Sequence, residues 1–351
     1  MPKAVINGVR LHYLQIGDPD ASDCDDLVML HGLASNLAFW YFQYAQELAN
    51  RFRVTLLDFR GHGRSDMPAS GYSPEELSRD VGGLLDYLGI ERAHFIAHSF
   101  GGLVALHYAR RHPAKVRSMV LADCYVPGLC SSRPAQAWAQ GLKLRPILQR
   151  HGIDLDTEDP RFGFRLLGVM ARLRLRGEPL PPDLLCLFGP VMQRFGQNTA
   201  EQWLKLLETT TAEADITSSR PMQFEELRGL GFPICAMYGD GSHARRIGDE
   251  LLGAWPEAEF RLVRRAGHFF PVSRADELLS QCKQFWDSCG NGGVHVRRPN
   301  DTRAYFQSDR FYMVDGAWCC LLREGVRLGP FPSREEAARQ LTATLAALRA
   351  P

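Results

Sequence analysis

The sequence predicts an α/β fold: a mostly parallel sheet interrupted by a helical cap, followed by a small α+β C-terminal domain. Three observations predict it. Short apolar runs alternate with helix-length stretches up to residue 122 and resume at residue 234. Between 126 and 220 no strand-like run occurs, and Leu, Arg and Gln recur at helical spacing between Pro and Gly breaks. Beyond Gly290-Asn291-Gly292-Gly293, a linker by composition, the pattern changes again.

The elements follow in order. Residues 4–16 alternate like a hairpin around Asn7-Gly8, a strong two-residue turn signal. Leu27–Leu30, Val54–Leu57, His94–Ala97 and Met119–Ala122 read as buried strands. Leu37–Ala49, Pro74–Leu88 and Gly101–Arg111 read as the helices between them. Ile234–Tyr238 and Glu259–Val263 complete the sheet, and a helix runs from 275 to 288. The core is therefore expected over 1–125 and 221–289, with a helical lid over 126–220 and a linker at 290–293. The domain at 294–351 should be β-β-β-α: strands Phe311–Val314, Trp318–Arg323 and Val326–Leu328, turns at Asp315-Gly316 and Glu324-Gly325, then a helix. Ser333 followed by Glu336 forms a capping box at that helix start.

The 351 residues are 45% hydrophobic, enough for a sizeable core. With 41 basic and 40 acidic side chains, the chain offers no charge surplus for nucleic acid or an anionic membrane. No apolar run is long enough for a membrane span, and the alternating N-terminus does not read as a signal peptide. Nine cysteines at irregular spacing, with no C-x-x-C, suit reduced thiols in a cytoplasmic protein and no metal site.

Four segments carry chemistry. AHSFGG (97–102) follows a strand and opens a helix, the nucleophile-elbow pattern. Small residues permit the strained turn, which holds Ser99 at a helix N-terminus where the dipole favours an anion. HGLASN (31–36) follows the strand ending at Leu30, and the N–H of Leu33 can pair with that of Phe100 as an oxyanion hole. DFRGHGRSD (58–66) follows the next strand. AGHFF (266–270) follows the last strand and places His268 late in the catalytic unit, after the serine.

In these motifs and their order, residues 4–289, about four-fifths of the chain, resemble the α/β-hydrolase superfamily. The resemblance implies a serine hydrolase with a lid between the sixth and seventh strands. Dehalogenases and epoxide hydrolases of this fold use an aspartate nucleophile, so Ser99 argues against both. The C-terminal piece resembles a small bacterial domain of unknown function, with no nucleophile–base pair of its own.

Two acids compete to orient His268. Members of the superfamily usually carry the carboxylate about three residues after the glycine ending the seventh strand, but Ser242 holds that register in CAMYGDGSHARR (235–246). Asp240 follows Gly239 in a loop about two residues short. Asp123 ends the strand after the elbow helix, where some members place their acid, and is the one favoured here. His98 and His62 read as structural, Asp58 as a loop organiser.

Trp138, Phe162, Phe164, Leu166, Leu167, Met170, Leu187, Phe188, Met192 and Phe195 make the lid apolar, which suggests a hydrophobic acyl or alkyl group in the substrate. Arg161, Arg165, Arg172, Arg174 and Arg176 read as its solvated face. The expected activity is hydrolysis of a small hydrophobic carboxylic ester or thioester through an acyl-enzyme, without cofactor. Carbon–carbon bond hydrolysis and cofactor-free perhydrolysis use the same triad. A ligand-binding protein that lost catalysis is the reading from another class.

Overall fold

The computed structural model describes residues 2–17, 24–126, 139–155, 159, 161–177, 182, 196–255, 257–290, 311–314, 317–321 and 327–347. Eight strands form the main sheet: β1 Lys3–Ile6, β2 Val9–Ile16, β3 Asp25–Leu30, β4 Phe52–Leu57, β5 Ala93–His98, β6 Val116–Ala122, β7 Ile234–Gly239 and β8 Glu259–Val263. Their spatial order is β1-β2-β4-β3-β5-β6-β7-β8. The β1–β2 and β2–β4 pairings are antiparallel, and all the others are parallel.

The central strands carry runs of consecutive apolar residues, such as Leu27–Leu30 and Met119–Ala122, because both faces are covered. Successive side chains go to opposite sides. Val28, Leu30, Phe95, Met119 and Leu121 join the core under helices Pro74–Tyr87 and Phe100–Arg111. Leu27, Met29, Ile96, Val120 and Met237 join the other, with Trp40, Tyr44, Phe285 and Trp286. Burying a side chain such as Phe285 contributes roughly 1.5–3 kcal/mol before entropy is counted.

Local signals fix the helix ends. Ser73 caps Pro74–Tyr87 in a full capping box with Glu76, and Pro74 sits in the first turn, where its missing N–H costs nothing. The single helix expected over 37–49 is two short α segments, Ala38–Trp40 and Gln46–Leu48, around a π turn at Tyr41–Ala45. Across this turn Trp40, Tyr44, Ala45 and Leu48 all face the core.

Between β6 and β7 the described residues contain helices and no strand. They include Phe162–Arg176 and Gln197–Thr209, joined by Phe164 stacked on Trp203, centroids 5.6 Å apart. This segment docks on the loop after β4: Leu206 lies against Gly61 and Tyr72, and Asp215 accepts the N–H groups of Gly71 and Tyr72, each at 3.0 Å. Phe164 and Met170 are buried and Phe162, Leu166 and Leu167 half-buried, while the five arginines between 161 and 176 are exposed. Trp138, Leu187, Phe188, Met192 and Phe195 lie outside the described residues.

A separate antiparallel sheet, in order β11-β10-β9, comprises β9 Phe311–Val314, β10 Ala317–Leu321 and β11 Arg327–Phe331. Helix Arg334–Ala347 follows, and Ser333 Oγ accepts the Glu336 N–H at 3.2 Å. The expected turns at 315–316 and 324–325 lie outside the described residues, as do 291–293 of the expected linker. Among the described residues no helix is long and apolar enough to cross a membrane.

Candidate active site

The parallel register brings the chemistry to one edge. His98 pairs with Ala122, and Ala122 with Met237, so β5, β6 and β7 end abreast. Ser99 and Asp123 are the first residues past β5 and β6. Both have positive φ, 54° and 51°, unusual for side-chain-bearing residues. Ser99 N–H donates to Ala122 C=O at 3.1 Å, and Asp123 N–H to Met237 C=O at 2.8 Å, so the sheet holds both strained corners.

Ser99 stands at the N-cap of helix Phe100–Arg111, yet its hydroxyl makes no capping bond. The helix starts close against the sheet because its first turn has no side chains in the way. A Cβ on Gly101 would overlap the His31 carbonyl, and one on Gly102 would overlap Cys124 Sγ. Ser99 Oγ lies 2.9 Å from His268 Nε2. On the far side of the ring, His268 Nδ1 lies 2.9 Å from Asp123 Oδ1.

Asp123 is fully buried and surrounded by donors. Gly239 N–H donates to Oδ2 at 2.8 Å, and the Ser242 hydroxyl donates to Oδ1. Asp240 has different work. Its Oδ1 accepts the Ala266 N–H at 3.1 Å, and Gly241 N–H donates to Ala266 C=O at 2.9 Å. Asp240 therefore ties the β7 loop to the loop bearing His268. Of the two competing acids, Asp123 is the one brought to the imidazole.

Burial sets the protonation states. It pushes the Asp123 carboxyl up to about 6, against the opposing pull of its Ser242 and Gly239 donors. It pushes the His268 imidazole down to about 4. At neutral pH the pair is therefore carboxylate and neutral imidazole, the state in which a base can accept a proton. The His268 side chain stays 15% exposed and Asp123 is sealed, so the ring alone of the two faces incoming molecules.

His268 sits between two more imidazoles. His98 lies 4.9 Å away, and its Nε2–H donates to the His268 backbone carbonyl at 3.0 Å. His243 lies 4.7 Å away on the β7 loop. Burial lowers both to about 3 and keeps them neutral. His62 is buried, tilted against Trp203 at 6.1 Å. Asp58 binds His12 at 2.6 Å and accepts N–H groups from Leu37 and Arg64.

The segment after β3 is also held. His31 Nε2 accepts the Phe59 N–H at 3.2 Å, so its Nδ1 carries the proton and donates to Gly32 C=O at 2.7 Å. A trans peptide points its N–H opposite to its C=O. Gripping the Gly32 carbonyl thereby fixes the direction of the Leu33 N–H. A Cβ on Gly32 would come within 3.2 Å of Ser99 Cβ, which puts this loop against the serine. Phe100 is the residue directly after Ser99.

Residues 27–167 match the model of the alpha/beta hydrolase fold family, and 297–350 match a domain of unknown function, DUF6316. The 2-hydroxy-6-oxononadienedioate/2-hydroxy-6-oxononatrienedioate hydrolase of Paraburkholderia phymatum is 36% identical over 294 residues, 79% of this chain and 91% of that protein. The chain belongs to the alpha/beta hydrolase fold family. Epoxide hydrolase 1 of Caenorhabditis elegans is 34% identical over 134 residues, 38% of this chain, and the chain spans only about a third of its length (32%). The enol-lactonase structure from Burkholderia xenovorans LB400 superposes with a TM-score of 0.58 at 25% identity, covering 82% of this chain and all of that one.

Within this family pattern, sequence reasoning missed the use made of Ser242 and His243. Ser242 had a signal, since it stands in the register of the usual acid. His243 had none. Its approach to His268 follows from the tightness of the 239–244 turn, where Ser242 N–H donates to Gly239 C=O at 3.1 Å.

Proposed function

We propose that the chain is a serine hydrolase acting on a carboxylic ester or thioester with a hydrophobic acyl or alkyl group. The observation that carries this reading is the unbroken chain from Ser99 Oγ through His268 to Asp123, with both links at 2.9 Å. His268 Nε2 takes the hydroxyl proton as Ser99 Oγ bonds to the substrate carbonyl carbon. The carbonyl π electrons move to oxygen, and the N–H groups of Leu33 and Phe100 receive the oxyanion. Collapse breaks the bond to the leaving group, which takes the proton from His268. Water then repeats the sequence on the acyl-enzyme and frees the acid. Asp123 holds the imidazole tautomer and stabilises its cation.

The reading extends to the rest of the chain. The core is 1–125 with 221–289, the helices of 126–220 cover the site as a lid, and 294–351 is a separate small unit. The protein works in the cytoplasm on a small molecule, without a cofactor.

A second reading is favoured by the relative aligned over 91% of its length, a hydrolase named for 2-hydroxy-6-oxononadienedioate and 2-hydroxy-6-oxononatrienedioate. The same serine can attack a ketone, and a carbon–carbon bond breaks when the departing carbanion takes the proton from His268.

The test is fluorophosphonate labelling of wild type and Ser99→Ala, followed by turnover of p-nitrophenyl esters of increasing acyl length and of a 2-hydroxy-6-oxo dienoate. Labelling that requires Ser99, with kcat/KM rising with acyl length, is expected. Turnover of the dienoate alone moves the function to carbon–carbon hydrolysis. A folded wild type that neither labels nor turns over either substrate sinks both readings in favour of a binding protein.

A further inference from the structure

Ser242 occupies the register in which the sequence leads one to expect a carboxylate, and its hydroxyl is spent on the carboxylate found elsewhere. The residue is buried at the turn after β7. Its Oγ accepts the Ala244 N–H at 3.1 Å and donates to Asp123 Oδ1. Oδ1 is the same oxygen that His268 Nδ1 approaches at 2.9 Å, while Oδ2 takes the Gly239 N–H at 2.8 Å.

We propose that Ser242 is a positioning residue for the catalytic acid: its hydroxyl fixes the rotation of the Asp123 carboxylate and holds it ionised while it orients His268. The inference rests on the reading of Asp123 as the triad acid.

A bland role is available. A serine whose oxygen accepts the N–H two residues on is a common turn device. The direction of the proton decides against that role alone. The turn needs only an acceptor, and the Ala244 N–H supplies its own hydrogen. The hydroxyl hydrogen is then free, and the carboxylate, which has none, receives it.

The groups around Asp123 leave the task to few donors. Ser242 and His243 face it from the loop after β7, His268 from the loop after β8, and His98 from the end of β5. Burial keeps His98 and His243 neutral, so they contribute little positive charge. Beside the His268 Nδ1–H that the carboxylate orients, the Gly239 amide and the Ser242 hydroxyl donate to it and oppose desolvation. Of these two, the second is a side chain, and so open to substitution. Removing it exposes the carboxylate to the full cost of burial and frees it to rotate away from His268.

The experiment is a titration of the Asp123 carboxyl by 13C NMR in aspartate-labelled protein, with Asp123→Asn to assign the signal. Wild type, Ser242→Ala and Ser242→Thr are compared, with fluorophosphonate labelling rates followed against pH on the same samples. In Ser242→Ala the carboxyl midpoint and the acid limb of labelling should both move upward. Labelling at pH 7 should fall about tenfold, the worth of one buried hydrogen bond. Threonine should restore both. Ser242→Cys keeps the volume and weakens the donor, and serves if the alanine variant does not fold: an upward midpoint supports the proposal and an unmoved one overturns it. A lowered melting temperature with an unchanged midpoint would leave Ser242 as a turn residue only. If wild type does not label at all, the hydrolase reading fails, and the carboxyl titration still decides the role of Ser242.

Discussion

His98 donates its Nε2–H to the backbone carbonyl of His268, 3.0 Å away, so the residue beside Ser99 grips the main chain of His268. The ring is also stacked on Phe39, with centroids 4.7 Å apart and planes at 18°. Its Nδ1 is buried without a partner, consistent with a neutral ring protonated at Nε2. The bond spans 170 positions of sequence and gives the serine–imidazole spacing a second constraint.

Replacing His98 by Phe keeps the stack and removes the donor. Fluorophosphonate labelling should slow about tenfold, as expected for loss of one buried hydrogen bond that positions a reacting group. Gln, whose amide can stand in for Nε2, should recover part of the rate. Equal labelling rates in wild type and folded His98→Phe would show the bond to be dispensable.

The two acids should separate cleanly. Asp123→Asn presents an amide where a carboxylate accepts three donors, and kcat should fall on the order of 10^3–10^4-fold. Asp240→Asn keeps an oxygen for the Ala266 N–H and should cost less than tenfold in kcat. Steady-state kinetics on an aryl ester decide it, and a larger loss in the Asp240 variant would reverse the assignment.

Ser99 has φ 54° and ψ −123°, a conformation that strains any residue with a Cβ. Ser99→Gly should therefore raise stability by about 1 kcal/mol while abolishing labelling. Urea unfolding measures the first and the probe the second. A less stable glycine variant would mean that the hydroxyl contributes more to folding than the strain costs.

The pH profile follows from the buried pair. Burial raises Asp123 to about 6 and lowers His268 to about 4, and catalysis needs the first ionised and the second neutral. Both take up protons as pH falls, so activity should be level above about pH 7, fall through a midpoint near pH 6 and be lost toward about pH 4. Two coupled groups give one apparent acid limb belonging to the pair. A limb at or above pH 7, measured as kcat/KM, would contradict this ordering.

Much of this molecule was determined by the sequence alone. The alternation of apolar runs and helical stretches specified a two-sided parallel sheet, and AHSFGG and AGHFF marked Ser99 and His268 because strained turns and strand ends demand particular small residues locally. The choice between Asp123 and Asp240 was not local. It depends on how β6 and β7 lie abreast and on where a shortened loop closes, so that Asp240 meets Ala266 N–H and Asp123 meets His268. Ser242 and His98 likewise acquire their partners only when segments more than 100 residues apart are folded to one edge of the sheet. Sequence spacing encodes hydrogen bonds within a turn. Those between strand ends are set by register and packing, which only the tertiary structure decides.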